Sequence, residues 1–150
     1  MGMISRSSAL QPGGHIGDLQ INAILGVGAN GITYMVTDPA IGTRFALKEY
    51  LPAKYVTRGE DGQVRPNDEQ AAPVFAQGLK LFLHEARIVA GLEHPHVVKI
   101  LRYFEANGTA YFLMPYYKGQ ALHHLLESRG VFNREEAKAL LLPLMDALEY

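Results

Sequence analysis

The 150-residue sequence predicts an α+β fold in which a five-stranded antiparallel sheet carries one long helix and is followed by further helices. Three observations lead to this prediction. A glycine-rich stretch from Leu25 to Thr33 precedes a run of β-branched and aromatic residues, which favour strands. Asn107-Gly108 lies between two apolar runs and is a strong hairpin signal. Apolar residues recur every three or four positions between 73 and 92, as in an amphipathic helix.

Length and composition limit the class of protein. Hydrophobic residues make up 48% of the chain, enough for one domain with its own core. The net charge of −1 provides no electrostatic footprint for nucleic acid or an anionic membrane. The chain has no cysteine, so disulfides and thiolate chemistry are excluded. It also lacks a signal-peptide core and an apolar run of the roughly 18–20 residues that a membrane span needs, so we expect a cytoplasmic protein.

The beginning of the chain predicts a tail and then a strand. Residues 1–14 are small and polar, without periodicity, and contain a Pro-Gly-Gly run, which predicts a flexible tail. From residue 15 onward, Leu19, Ile21 and Ala23 alternate with polar neighbours. This alternation is typical of a half-buried strand, so the first strand is expected before the glycine-rich stretch.

The glycine-rich stretch is the first candidate for chemistry. Gly26, Gly28 and Gly31 let the backbone turn sharply and approach another group closely, and the N–H groups of such a loop can cradle phosphates. A dinucleotide-binding fingerprint needs its glycines to lead from a strand into a helix. Residues 32–37 instead favour a strand, and Asn30-Gly31 is a hairpin dipeptide. The glycines therefore join two antiparallel strands, which conflicts with an oxidoreductase that binds a dinucleotide here.

The next strand places a lysine under this hairpin. Two-residue periodicity puts Ala46 and Lys48 on one face, a combination that suits a purine ring and its phosphates. The runs Gly26 to Thr33 and Phe45 to Lys48 resemble the protein-kinase signature G-x-G-x-x-G-x-V followed by V-A-I-K. The chain therefore resembles the N-terminal lobe of a bacterial, eukaryotic-like Ser/Thr protein kinase. The alternative is a glycine hairpin beside a solvated lysine.

A long connection follows the lysine strand. Residues 50–72 contain several prolines, glycines, asparagines and aspartates, which predicts a loop with at most a short hairpin around Gly62. Loops of this length usually carry function or are mobile. A tolerated surface insertion is the alternative interpretation.

The helix predicted for residues 73–92 carries an acidic residue at the margin of its apolar stripe. That residue, Glu85, should therefore be drawn toward the sheet. The kinase resemblance implies that it is the helix-C glutamate that pairs with Lys48. Glu93 is the competing candidate, but it follows Gly91 and lies beyond the expected helix end.

Residues 97–117 are predicted to form a hairpin that completes the five-stranded sheet, and the stretch from Met114 to Gly119 at its end resembles the kinase hinge. The resemblance implies that Met114 lies behind the adenine pocket, that Pro115 offers its carbonyl and that Tyr117 offers its N–H and carbonyl. Proline has no N–H, but this contact needs only an acceptor. The nucleotide-binding residues implied by the resemblance are Leu25, Gly26, Val27, Gly28, Gly31, Thr33, Ala46, Lys48, Met114, Pro115 and Tyr117, and the implied catalytic residues are Lys48 and Glu85.

The end of the chain predicts two helices that resemble the start of the second kinase lobe. Residues 120–129 should form a short helix and residues 131–150 a longer one, with Asn133 as its N-cap. The longer helix has a broad leucine-rich face, which predicts self-association of the chain through this helix. The expected division is a tail (1–14), an ATP-binding lobe (15–114), a hinge (115–119) and the truncated start of the second lobe (120–150).

The resemblance implies a parent protein that transfers the γ-phosphate of ATP to protein hydroxyls. The catalytic-loop H-R-D and metal-binding D-F-G motifs do not occur in the 150 residues, so Mg²⁺ ligands are expected outside them and the chain alone should be inactive. His94 and His96 have no third ligand and make a poor zinc site, so no metal is expected here. The alternative is a pseudokinase-like module for nucleotide sensing or protein interaction.

Overall fold

The computed structural model describes residues 8–150. They form two compact units. Of the described residues, the first unit contains 8–91 together with Lys99–Tyr116, and the second contains Leu92–Val98 and Tyr117–Tyr150.

Within the described residues, the first unit contains eight strands and one helix. In chain order they are β1 (His15–Ile16), β2 (Leu19–Gly28), β3 (Gly31–Asp38), β4 (Thr43–Tyr50), β5 (Val56–Arg58), β6 (Val64–Pro66), α1 (Ala71–Ala90), β7 (Arg102–Ala106) and β8 (Thr109–Pro115). Six strands form one antiparallel sheet in the order β1-β2-β3-β4-β8-β7, and β5 and β6 form a separate hairpin. The predicted α+β fold is therefore confirmed.

The predicted number of five strands is wrong by one, because β1 adds a sixth strand at the edge of the sheet. Gly17 adopts a φ of 57°, which lets the chain reverse so that Ile16 pairs with Leu19. The flexible tail is corrected in part as well. Its residues 1–7 lie outside the described residues, but Ala9 is buried in the core and the N–H of Leu10 donates to the Tyr34 hydroxyl at 3.1 Å.

The connection after β4 contains the short hairpin predicted around Gly62, which has a φ of 78°. This β5–β6 hairpin is part of the packed structure. Val56 and Val64 are buried in the main core, and the N–H of Val64 donates to the carbonyl of Asn107 at 2.8 Å. The hairpin is thereby joined to the turn between β7 and β8.

The turn between β7 and β8 has the predicted form. Asn107 and Gly108 have φ values of 51° and 70°, the left-handed geometry that favours this dipeptide in two-residue hairpins. The first strand of the hairpin begins later than predicted, at Arg102.

Helix α1 is the predicted amphipathic helix, displaced by two residues at each end. The Asp68 carboxylate accepts a 2.7 Å hydrogen bond from the N–H of Ala71, which satisfies a free donor of the first turn. Phe75 and Phe82 are buried, and Phe82 stacks on Phe112 of β8 with 4.9 Å between ring centroids. These contacts hold α1 on one face of the sheet.

The second unit contains α2 (Leu122–Arg129) and α3 (Arg134–Glu149). The predicted N-cap Asn133 is confirmed. Its side chain accepts from the N–H of Glu136 at 2.9 Å, and the Glu136 carboxylate accepts from the N–H of Asn133 at 3.0 Å. In the same unit His94 Nε2 lies 3.2 Å from a carboxylate oxygen of Asp146.

Candidate functional site

The glycine hairpin is formed by β2, β3 and the turn Ala29-Asn30. Gly31 is the glycine that the backbone requires, because a Cβ there would lie 2.0 Å from the carbonyl oxygen of Glu49. The carbonyl of Asn30 accepts from the N–H of Leu51 at 2.9 Å, which fixes the turn to the end of β4. Gly26 has open space where a Cβ would be. Only part of the glycine pattern is therefore required by close packing.

A cavity of about 410 Å³ lies beside this hairpin. It brings together the three predicted glycines, Thr33 and Lys48. Its lining residues are Gly26, Val27, Gly28, Ala29, Asn30, Gly31, Thr33 and Lys48. Backbone N–H groups of a glycine turn beside a lysine are an arrangement that suits an anionic ligand.

Strand register brings further predicted residues to the Lys48 face of the sheet. Lys48 lies opposite Thr33 of β3, and Ala46 lies opposite Met114 of β8. Directly opposed residues share a face, and so do alternate residues of one strand. Pro115 occupies the last paired position of β8, opposite Phe45.

Strand register does not assign two further predicted residues to this group. Leu25 belongs to β2, beside a register shift between Ile24 and Gly26, and its side chain is exposed. Tyr117 belongs to the second compact unit, where its side chain is also exposed.

Lys48 and Glu85 line a second cavity of about 250 Å³ together with Tyr50, Gly78 and other residues of α1 and the hairpin. Within residues 8–150, however, no acidic oxygen lies within 4.0 Å of the Lys48 ammonium. The Lys48 Nζ instead lies 5.4 Å from the centroid of the Phe112 ring, a cation–π distance. The ion pair implied by the resemblance is therefore not formed in this structure.

The expectation that Glu85 is drawn toward the sheet holds only in part, because the residue is exposed although it lines the same cavity as Lys48 and Phe82. The buried face of α1 is determined by Phe82 and Ala86. Successive residues of an α-helix are about 100° apart around the axis, so Glu85 lies about 60° from Phe82 and about 100° from Ala86, at the margin of this buried face.

The opposite face of β4 holds a polar group that sequence reasoning missed. Glu49 is fully buried, and its carboxylate accepts hydrogen bonds from the hydroxyls of Tyr34 (2.7 Å) and Tyr111 (2.5 Å). Arg58 of β5 completes the group by donating from Nη2 to the same carboxylate. These four residues are called the Glu49 cluster below. The only sequence signal for it is an acidic residue two positions after Leu47, which places Glu49 on the same face of the strand as an apolar residue.

The pKa shifts of the residues around Glu49 are those expected for hydrogen-bond donors to a buried carboxylate. Burial raises the pKa of the Tyr34 phenol above its ordinary value, and the charge of Glu49 raises it further. The pKa of Tyr111 is raised for the same two reasons. Burial acts to lower the pKa of Arg58, but its attraction to Glu49 outweighs this and the pKa is raised. Among the described residues no buried side-chain nitrogen or oxygen lacks a hydrogen-bond partner.

Tyr50 connects β4 with α1. Its ring stacks on Phe75 with 5.6 Å between centroids, and its carbonyl accepts from the hydroxyl of Thr109 at 2.5 Å. A Cβ on Gly78 of α1 would lie 1.9 Å from the Tyr50 hydroxyl, so glycine permits this close approach. Three successive residues of β4 therefore have different surroundings. Lys48 lines the two cavities, Glu49 lies at the centre of the Glu49 cluster, and Tyr50 packs on α1.

Metal sites and membrane-spanning helices have no candidates in the part of the chain from residue 8 onward. No group of three histidine, aspartate or glutamate side chains could hold a metal ion. No helix is both long and apolar enough to cross a membrane.

A family model of the protein kinase domain matches residues 19–150. The chain belongs to the protein kinase family. Among curated relatives, Serine/threonine-protein kinase B of Synechocystis sp. is 29% identical over 136 residues, covering 89% of this chain and 21% of that kinase. The probable serine/threonine-protein kinase YbdM of Bacillus subtilis is 26% identical over 132 residues, covering 87% of this chain and 44% of YbdM.

Solved structures agree with this assignment. The apo form of PpkA-294 is 32% identical with a TM-score of 0.78, covering 82% of this kinase chain and 44% of PpkA-294. The PknI kinase domain of Mycobacterium tuberculosis is 25% identical with a TM-score of 0.66, covering 93% of this chain and 49% of that one. The predicted resemblance to the N-terminal lobe of a bacterial Ser/Thr protein kinase is therefore confirmed. The chain spans about half or less of each of these relatives.

Proposed function

We propose that this chain is the ATP-binding part of a Ser/Thr protein kinase, which transfers the γ-phosphate of ATP to hydroxyls of a protein substrate. The observation that supports the proposal most is the cavity beside the glycine hairpin, which Lys48 shares with the three glycines. Phosphoryl transfer depends mainly on positioning and on neutralising the phosphate charge. A glycine turn and a lysine are suited to the first part of that task.

In this proposal the backbone N–H groups of the hairpin and the Lys48 ammonium hold the phosphates. Glu85 becomes the partner of Lys48 when α1 moves toward the sheet, since both already line one cavity. Mg²⁺ is held by residues outside this chain. The adenine is enclosed by Leu25, Val27, Thr33, Ala46 and Met114 and bound by the backbone of Pro115 and Tyr117.

The proposed division of the chain follows the same roles. Residues 15–114 form the ATP-binding lobe, residues 115–119 the hinge, and residues 120–150 begin the second lobe.

The enzymatic part is tested in the full-length protein with γ-labelled ATP and a general protein substrate. Wild-type protein should transfer label, and Lys48→Met should abolish the transfer while the protein stays folded. Lys54→Met is the matched control, because Lys54 is exposed in the connection after β4. Absence of transfer by the wild-type protein would contradict the proposed enzyme.

A nucleotide-sensing module without transfer activity is the second candidate. The observation that favours it is the missing Lys48–Glu85 ion pair, because Lys48 is then not held in the orientation that transfer needs. Titration calorimetry of the 150-residue chain should show weak binding of both adenosine and ATP, with little dependence on Mg²⁺. A large magnesium enhancement would instead indicate a metal site within these residues.

Self-association through α3 stays a prediction, and the second unit gives it a physical basis. Leu142 and Leu148 are 60% and 87% exposed, and Pro143 lies within the helix and removes one of its backbone donors. Exposed contiguous apolar surface commonly forms an interface. Light scattering of the 150-residue chain at micromolar concentration should show oligomers that Leu142→Lys together with Leu148→Lys disperses. A wild-type monomer would contradict the prediction.

A further inference from the structure

The connection between β4 and α1 is bound to the core of the sheet by a buried arginine. Arg58 uses three different nitrogens of its guanidinium. Nη2 donates to the Glu49 carboxylate, Nη1 donates to the carbonyl of Gly62 at 2.8 Å, and Nε donates to the carbonyl of Ser8 at 2.9 Å. Its side chain is only 7% exposed. This is the geometry of a fixed anchor and not of a solvated surface loop.

We propose that the β5–β6 hairpin is a positioning element of the nucleotide site and that Arg58 is a positioning residue, acting through Glu49 on Lys48. The proposal rests on the proposed nucleotide-binding function. It assigns a role to the connection at residues 50–72, which could otherwise be a tolerated insertion.

Glu49 is linked to Lys48 because the two are consecutive residues of β4. Adjacent strand residues point to opposite faces, so a rotation of β4 that moves one side chain also moves the other. Donors from three separate elements hold the Glu49 carboxylate: Tyr34 from β3, Tyr111 from β8 and Arg58 from β5. The direction of Lys48 toward the glycine hairpin therefore depends on the Glu49 cluster.

Within the cluster, Arg58 is expected to matter most for the position of Glu49. The two tyrosine hydroxyls are neutral donors, whereas Arg58 is the cation that balances the buried carboxylate. Removing one partner of a buried ion pair leaves an uncompensated charge, which is far less favourable than the intact pair. Without Arg58 the buried carboxylate has no counter-ion, and we expect β4 to shift at the position that carries Lys48.

A lysine cannot fully replace this arginine. The planar guanidinium presents its donors in a rigid fork, and here each of three nitrogens has its own acceptor. A lysine ammonium keeps the charge but cannot reach the acceptors on Glu49, Gly62 and Ser8 together. Arg58→Lys is therefore a graded variant that retains the charge and loses the geometry.

The experiment compares ATP with adenosine as ligands of the full-length protein by calorimetry. Lys48 is proposed to contact the phosphates, so a change in its direction should weaken ATP binding and leave adenosine binding unchanged. Arg58→Met should raise the Kd of ATP by about tenfold without changing that of adenosine. The matched control is Arg65→Met, because Arg65 pairs with Asp61 at the surface of the same hairpin, where both side chains are more than half exposed.

A double-mutant cycle gives a second test of the same proposal. In a Lys48→Met background, Arg58→Met should cause no further loss of ATP affinity, because both changes remove the same contact. Should Arg58→Met fail to fold, Arg58→Lys replaces it and should show a smaller loss that is again confined to ATP.

Several outcomes would overturn the proposal. Equal loss of ATP and adenosine binding would make Arg58 a residue of general stability, and no loss of either would remove its role altogether. Wild-type protein that binds neither nucleotide would overturn the proposed function instead. In that case amide hydrogen exchange of β4 decides: faster exchange in Arg58→Met than in Arg65→Met supports the link to the Lys48 strand, and equal exchange overturns it.

Discussion

Lys48 and Glu49 are neighbours in β4, and the geometry of the strand turns them to opposite faces of the sheet. Lys48 borders two open cavities, and its ammonium has only an aromatic ring as a partner within the described residues. Glu49 is fully buried and accepts hydrogen bonds from three side chains. One face of the strand is thus left available for a ligand, and the other is closed.

The difference shows how one strand can serve two purposes. A charged group without a protein partner beside a cavity is a candidate for ligand binding. A buried charged group with all its hydrogen bonds satisfied defines a unique packing of the elements around it. In this chain the closed face is the rigid support from which the open face presents Lys48.

The largest expected effect comes from removing the carboxylate of the closed face. Glu49→Ala leaves the Arg58 guanidinium buried without its counter-ion, and we expect the free energy of unfolding to fall by about 3–5 kcal/mol. Asp61→Ala, which removes the exposed partner of Arg65, should change it by less than about 0.5 kcal/mol. Urea denaturation measures both. Similar values for the two variants would remove the contrast between buried and exposed pairs.

The next effect concerns the glycine hairpin that covers the open face. Gly31→Ala places a Cβ against the Glu49 carbonyl, and relieving that overlap should destabilise the protein by about 1–3 kcal/mol. Gly26→Ala meets open space and should have little effect on packing. Thermal unfolding of the two alanine variants tests the difference. A Gly31→Ala protein as stable as Gly26→Ala would show that β3 does not need its close approach to β4.

The two buried phenols of the closed face, Tyr34 and Tyr111, should make the stability of the protein depend on pH in the alkaline range. The folded-state pKa values of Tyr34 and Tyr111 are raised above the ordinary value of 10.0, so their contribution to stability is complete below pH 10.0 and is lost as the pH rises further. Above that point each tyrosine should lower the free energy of unfolding by about 1.4 kcal/mol per pH unit. Denaturation curves at increasing alkaline pH check the slope, which Tyr34→Phe should reduce. An unchanged slope in Tyr34→Phe would show that Tyr34 is not responsible.

The smallest effect on stability is expected on the open face. Lys48→Met should change the free energy of unfolding by no more than about 1 kcal/mol, because the ammonium is not in an ion pair within the described residues. The same change should abolish transfer in the full-length protein, and Glu85→Ala should impair it. A loss of stability above about 2 kcal/mol, measured by urea denaturation, would give Lys48 a structural role.

Much of the fold could be predicted because its signals are local. The hairpin at Asn107-Gly108 follows from the dihedral preferences of its turn residues, which both have a positive φ. The hairpin between β2 and β3 lies where Asn30-Gly31 predicts one, but it turns at Ala29-Asn30 and neither Asn30 nor Gly31 has a positive φ. Helix α1 follows from apolar periodicity, and α3 begins after Asn133 because a short polar side chain can cap the first turn. The lysine face of β4 follows from two-residue alternation alone.

The sequence by itself thus determined most of the elements and their order, the family signature and the face on which Lys48 lies, but not the edge strand β1. The tertiary structure decided that Glu49, Arg58, Tyr34 and Tyr111 form one cluster, that Ala9 is buried, and that Glu85 lies near Lys48 without pairing with it. The physical reason is separation along the chain. Glu49 and Tyr111 are 62 residues apart, and the partner of a buried charge depends on how distant elements pack, which no local preference encodes.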